Sequence, residues 1–175
     1  MTKGAKKYLI FIVVIVFGVL IDQVSKQIVR NDIPLHERTE YMDGFFTITH
    51  VKNDGAFLSL GSTWDPTLRL VVLTIIPGLF LIGLMVYLLR SPKLNLLENL
   101  AFALIASGGI GNIIDRILEG EVVDFMIMEA FGWHTGVFNI ADMYIMFGIG
   151  LFLVSYLKKM RQERKNKAAS EEAAS

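Results

Sequence analysis

The sequence predicts an all-α polytopic membrane protein: four transmembrane helices, both termini cytoplasmic, and a small strand-rich extracytoplasmic element between helices one and two. Three observations predict it. The 175-residue chain is 53% hydrophobic with a mean hydropathy of +0.51, above the usual balance of a soluble domain. Its apolar residues fall in four runs, approximately 8–28, 68–89, 96–118 and 138–157, each close to the roughly 20 residues a spanning helix needs. Eleven of the 17 basic residues (Lys3, Lys6, Lys7, Arg90, Lys93, Lys158, Lys159, Arg161, Arg164, Lys165 and Lys167) flank run ends on one side of a four-span arrangement. By the positive-inside rule that side is cytoplasmic.

The first run follows three lysines, as a signal peptide would, but its apolar part is long and no small-residue cleavage site follows, so it reads as a retained span. The 31–67 connection faces outward. Within it, residues 41–60 alternate bulky and polar side chains around the turn signals Asp43-Gly44 and Asp54-Gly55, the pattern of a small sheet. The second run ends in a short cytoplasmic turn at 90–95. In the third, Ala103, Ser107 and Gly111 stand four apart beside Gly108, a small-residue face for close helix packing. The 119–137 connection contains Gly120, Gly132 and Gly136 and is expected to move as a lid, with Trp133 as an interfacial anchor. Residues 1–157 form one membrane domain. Residues 158–175, first basic and then rich in Ala, Ser and Glu, read as a disordered cytoplasmic tail near anionic headgroups.

Intramembrane carboxylates are costly, and mark function or internal pairing. Counted from the cytoplasmic charges, Asp22, Asp115 and Asp142 lie about 22, 26 and 24 Å into a hydrocarbon core of roughly 30 Å. Three helices thus bring aspartates to one level, just under the outer surface. Asn139 shares a helix face with Asp142, Gly108, Gly111 and Asn112 share one with Asp115, and Lys26 is placed to pair with Asp22 in a structural salt bridge. Asp124 follows the third run, ringed by Val122, Val123, Phe125 and Met126, and so is expected to return to the membrane surface opposite Asp142.

With no Cys, no HExxH and all three histidines in loops, thiol, zinc and serine–histidine chemistry are excluded from the spans. Two close aspartates sharing one proton can hydrolyse a peptide bond without metal, one taking a proton from water while the other donates to the carbonyl oxygen. An ion relay through Asp22, Asp115 and Asp142, or a catalytically silent membrane scaffold, are the alternatives.

Four stretches, DQVSK at 22–26, NDGAF at 53–57, GNIIDR with VVDF between 111 and 125, and FNIAD at 138–142, resemble the lipoprotein signal peptidase (signal peptidase II) family, in order and over nearly the whole chain. The resemblance implies an aspartic endopeptidase of the bacterial cytoplasmic membrane. It would cleave diacylglyceryl-modified prolipoproteins before the lipidated cysteine, with its active site on the extracytoplasmic side. It implies Asp124 and Asp142 as the catalytic pair, and Asn53, Asn139, Asp115 and Arg116 as dyad support or substrate contacts. Asp22 and Lys26 keep their structural role. It further implies a monomer among membrane lipids, with no metal, cofactor or nucleic acid. The chain departs from the family pattern in having one Ala before Phe57, Met143 after the second aspartate, and no Pro before Phe138; these bear on pocket shape and substrate preference.

Overall fold

The computed structural model describes residues 3–56, 60–91 and 94–172; Phe57, Lys93 and residues 173–175 lie outside the described residues. Helix α1 (Lys3–Asp32) leads into strands β1 (Arg38–Tyr41) and β2 (Phe46–Asn53). The second span starts as α2 (Pro66–Leu70), passes through a π-helical turn at Val71–Ile75 and continues as α3 (Ile76–Arg90). Then come α4 (Leu96–Glu119), β3 (Val122–Ala130), β4 (Trp133–His134) and α5 (Ile140–Glu172). Four helical segments, Tyr8–Asp32, Pro66–Arg90, Leu96–Glu119 and Ile140–Glu171, are long and apolar enough to cross a membrane, which makes this a multi-pass membrane protein.

Helix ends follow local chemistry. Asp65 caps α2, its carboxylate accepting the Thr67 and Leu68 N–H groups, with Pro66 in the first turn where no N–H is missed. Pro77 can offer no N–H to the turn before it, and the chain widens there into the π turn instead of breaking. Asn95 and Glu98 form a reciprocal capping box at the start of α4, and Gly120 closes its far end at φ 78°, a left-handed conformation.

Helix α4 is the hub, packing against α1, α3 and α5. Close approach explains its small residues: a Cβ on Gly108 would lie 2.2 Å from the Ala141 carbonyl oxygen of α5, and one on Gly111 would lie 2.4 Å from an Asp22 oxygen of α1. Many outward side chains of α1, α3 and α5 are apolar and exposed, as lipid-facing surfaces are.

The all-α assignment needs correction, because the bundle is topped by a four-stranded antiparallel sheet of order β1-β2-β3-β4. Only half of it comes from the connection between helices one and two. The 119–137 connection, expected as a lid, supplies β3 and β4 and is built into the sheet through the pairing of β3 with β2. Met126 and Phe125 also draw hydrogen bonds from or to Phe138 just before α5, which ties β3 to the last span. The sheet seats on the bundle through Val29, Val123, Phe125 and Met126, with Phe46, Ile48 and Ile140 packed around them. The tail also differs from expectation, since α5 continues as helix to Glu172. Its Lys, Arg, Gln, Glu and Ala residues are good helix formers, and it carries i,i+4 contacts between Gln162 and Asn166 and between Lys167 and Glu171.

Candidate active site

Asp142 and Asn139 are placed by the start of α5. The Asp142 N–H donates to the Asn139 side-chain oxygen at 3.0 Å, and the Asn139 N–H donates to Asp142 Oδ2 at 3.1 Å. This reciprocal pair is a capping box with Asp in the place of the usual Glu, so the FNIAD stretch satisfies two helix-end amides while fixing the carboxylate. The other oxygen, Asp142 Oδ1, accepts from Asn112 Nδ2 of α4 at 2.9 Å.

Asp124 is placed by the sheet. It pairs in register with Val51, and Asn53, two residues along β2, lies on the same face. Asn53 Nδ2 donates to Asp124 Oδ2 at 2.7 Å, and Asn139 Nδ2 donates to Asp124 Oδ1 at 2.7 Å. Asn139 therefore touches both carboxylates, one through its side-chain amide and the other through its backbone. Asp124 is 3% exposed. Its burial pushes the carboxyl up to about 7, the negative Asp142 adds to that rise, and the Asn53 and Asn139 amides oppose it.

Beneath this pair lies a buried ionic cluster. Lys26 Nζ reaches Asp22 Oδ2 at 2.9 Å, Asp115 Oδ2 at 3.0 Å and Asn112 Oδ1 at 2.9 Å, so each of its three N–H donors has an acceptor. Asp22 Oδ1 in turn accepts the Ala141 N–H of α5 at 2.9 Å. Asp115 also receives Gln23 at 3.0 Å, Arg30 at 3.2 Å and the Val123 N–H at 3.4 Å. Asp115 thus ties α1 and α4 to the residue next to Asp124. Arg116 stands apart from the cluster, its Nη2 donating to the Gly55 carbonyl at 2.9 Å. With Asp54 and Arg69, which are ion-paired, it lines a cavity of about 420 Å³ between the start of α2 and the end of α4.

All eight residues singled out in the sequence are thus at one end of the bundle, and seven are joined by the contacts just given; Arg116 joins through Gly55, whose N–H donates to Asn53 at 3.0 Å. Two contributors were missed as site residues. Asn112 connects Lys26 to Asp142, and Gln23 bridges Asp22, Asp115 and the Gly111 carbonyl. Their signal was present: each is an uncharged amide inside an apolar run, beside or three residues before an intramembrane aspartate. Among the described residues no group of His, Cys, Asp and Glu is arranged to hold a metal ion.

A family model described as signal peptidase (SPase) II matches residues 14–158 of the chain. The chain belongs to the signal peptidase II family. It is 36% identical over 155 residues to the lipoprotein signal peptidase of Staphylococcus aureus strain JH9, covering 87% of this chain and 92% of that protein. Two solved bacterial membrane enzymes share the fold. One has a TM-score of 0.76 at 33% identity, with 86% of this chain and 88% of that one covered. The other has a TM-score of 0.75 at 32% identity, with 85% and 92% covered. Family membership makes this membrane protein a lipoprotein-processing protease.

Proposed function

We propose that the protein removes signal peptides from diacylglyceryl-modified prolipoproteins, cutting before the lipidated cysteine, with Asp124 and Asp142 as an aspartic dyad. One observation carries this reading: Asn139 holds both carboxylates at once, at 2.7 Å and 3.1 Å, so that a strand and a helix present acids to one point. The environments of the two acids differ in the direction the chemistry needs. Asp124, buried and raised to about 7, holds the proton. Asp142 lies in the first turn of α5, where the helix dipole places positive potential.

In the proposed cycle the Asp142 carboxylate takes a proton from water, whose oxygen attacks the scissile carbonyl. Asp124 donates its proton to the carbonyl oxygen. The roles then reverse: Asp124 recovers a proton from the tetrahedral intermediate as Asp142 protonates the departing amine, and the peptide bond breaks. Asn53, Asn139 and Asn112 hold the carboxylates without adding charge. The Asp22–Lys26–Asp115 cluster is scaffold in this reading, since its ionic groups are mutually paired. That local pairing favours a scaffold over an ion relay. Arg116 and Gly55, beside the cavity at the outer mouth, are suited to substrate contact. The dyad faces the extracytoplasmic side of the cytoplasmic membrane, where a substrate anchored by acyl chains is reached within the outer leaflet.

The test is cleavage of a purified diacylglyceryl-modified prolipoprotein by the wild type and by folded Asp124→Asn and Asp142→Asn variants. Each variant is expected to lose activity by about 100-fold or more. Near-full activity in either variant removes the dyad, and activity lost to a zinc chelator points to a metal mechanism.

A further inference from the structure

At the end of the bundle remote from the dyad, α3 and α5 are held apart by an α4 side chain. Phe102 stands edge-on to Tyr87 of α3 at 6.2 Å and tilted against Phe152 of α5 at 5.2 Å, and Phe152 stacks on Tyr156 at 6.4 Å. These four rings wall a cavity of about 670 Å³, within the size range of small-ligand sites. Tyr87 and Tyr156 are each about half exposed, so protein covers only one side of the row. At the mouth stand Arg90, the last residue of α3, and Lys159 of α5. Neither takes part in an ion pair or hydrogen bond among the described residues, whereas the dyad end is densely paired. Two carboxylates share the mouth. Glu98 is engaged, its Oε2 accepting the Asn95 N–H in the capping box, and Glu163 lies one turn beyond Lys159. Two uncommitted cations therefore face one uncommitted carboxylate.

Position selects the occupant. Tyr8, in the first turns of α1, donates to the Leu89 carbonyl, so this end of the bundle is the one that carries the chain termini. The groove lies between the spans α3, α4 and α5, and its cations stand where the apolar runs stop, Arg90 at the end of α3 and Lys159 just past Leu157 within α5, the level of headgroups. Inorganic phosphate would match the cations and leave the rings bare; a neutral diacylglycerol would do the reverse. We propose that this groove binds one glycerophospholipid of the leaflet next to the termini, its phosphodiester between Arg90 and Lys159 and an acyl chain along the four rings. Basic pockets between spans take lipid headgroups in this way. The bound lipid joins α3 to α5, which otherwise meet here through Phe102, and tightens the bundle at the end opposite the dyad.

The experiment is native mass spectrometry of the full chain in detergent, titrated with phosphatidylglycerol, on the wild type and on Arg90→Ala, Lys159→Ala and the double variant. The wild type is expected to retain one phosphatidylglycerol, each single variant to bind it about tenfold more weakly, and the double variant to show only nonspecific adducts. Diacylglycerol and inorganic phosphate at the same concentration should not compete. Melting in lipid-free detergent, expected to be the same for all four proteins, reads folding separately. Equal binding by wild type and double variant overturns the proposal, as does a wild type that shows only a nonspecific ladder. Displacement of the lipid by a synthetic signal peptide would overturn it too, by assigning the groove to substrate.

Discussion

Asn139 does three things with one side chain and one N–H: it caps α5, braces Asp142 and donates to Asp124. Asn139→Ala removes the cap, typically about 1 kcal/mol, and the side-chain hydrogen bond to Asp124, while the backbone N–H that holds the Asp142 carboxylate stays. It should lower kcat at least tenfold while changing KM less, a split that steady-state kinetics on a prolipoprotein would show. Asp124 supplies a second expectation. With its carboxyl at about 7, activity should fall as pH rises through that value, because the proposed general acid loses its proton. The stability effect has the same direction. The folded state holds this proton more tightly than the unfolded chain, whose carboxyl sits near 3.8, so the contribution of Asp124 is full below about 4 and is lost as pH rises to about 7. Denaturation of the Asp124→Asn variant over that range should lack the slope; an identical slope in both proteins would mean that Asp124 is not the titrating group.

At the scale of elements, the helices were readable from sequence because length and hydropathy are local properties. The sheet was readable only in part. Residues 41–60 showed alternation and turn signals, but VVDFMIM lacks alternation because its first residues are buried on both faces, and its partner β2 is some 70 residues away. The dyad itself needed no such pairing to be suspected, since a carboxylate among β-branched and aromatic neighbours is anomalous wherever it falls. What sequence could not supply was the shared amide, because Asn139, Asp124 and Asn53 meet only once β2, β3 and α5 are assembled. The small-residue face of α4 was readable, and it makes a measurable claim. Gly108→Ala would push a methyl against the Ala141 backbone carbonyl, which cannot swing aside as a side chain can. Displacing α5 from α4 should cost about 1–3 kcal/mol and reduce activity as well, because α5 carries Asp142. Gly83→Ala is the control: nothing lies within 4 Å of its Cβ position in the interior of α3. It should be neutral or stabilising by up to about 1 kcal/mol. Melting of the two variants in detergent compares them directly.

For the whole molecule, an even number of spans puts both chain ends on one face and the dyad, with its sheet, on the other. In the proposed orientation the bias of basic residues toward the termini puts that face in the cytoplasm, by a rule concerning how charged segments resist translocation. The dyad must open outward if the substrate is to be cut where its acyl chains are seated, so the orientation and the proposed function stand together. The chain has no cysteine, so single cysteines report without background. His134, exposed in β4, and Ser170, exposed near the end of α5, mark the two faces. A membrane-impermeant maleimide applied to intact spheroplasts should label His134→Cys and leave Ser170→Cys unlabelled until the cells are lysed. The reverse pattern would turn the dyad toward the cytosol and separate it from a lipid-anchored substrate in the outer leaflet, and the proposed reaction would fail with it even if both aspartates proved essential.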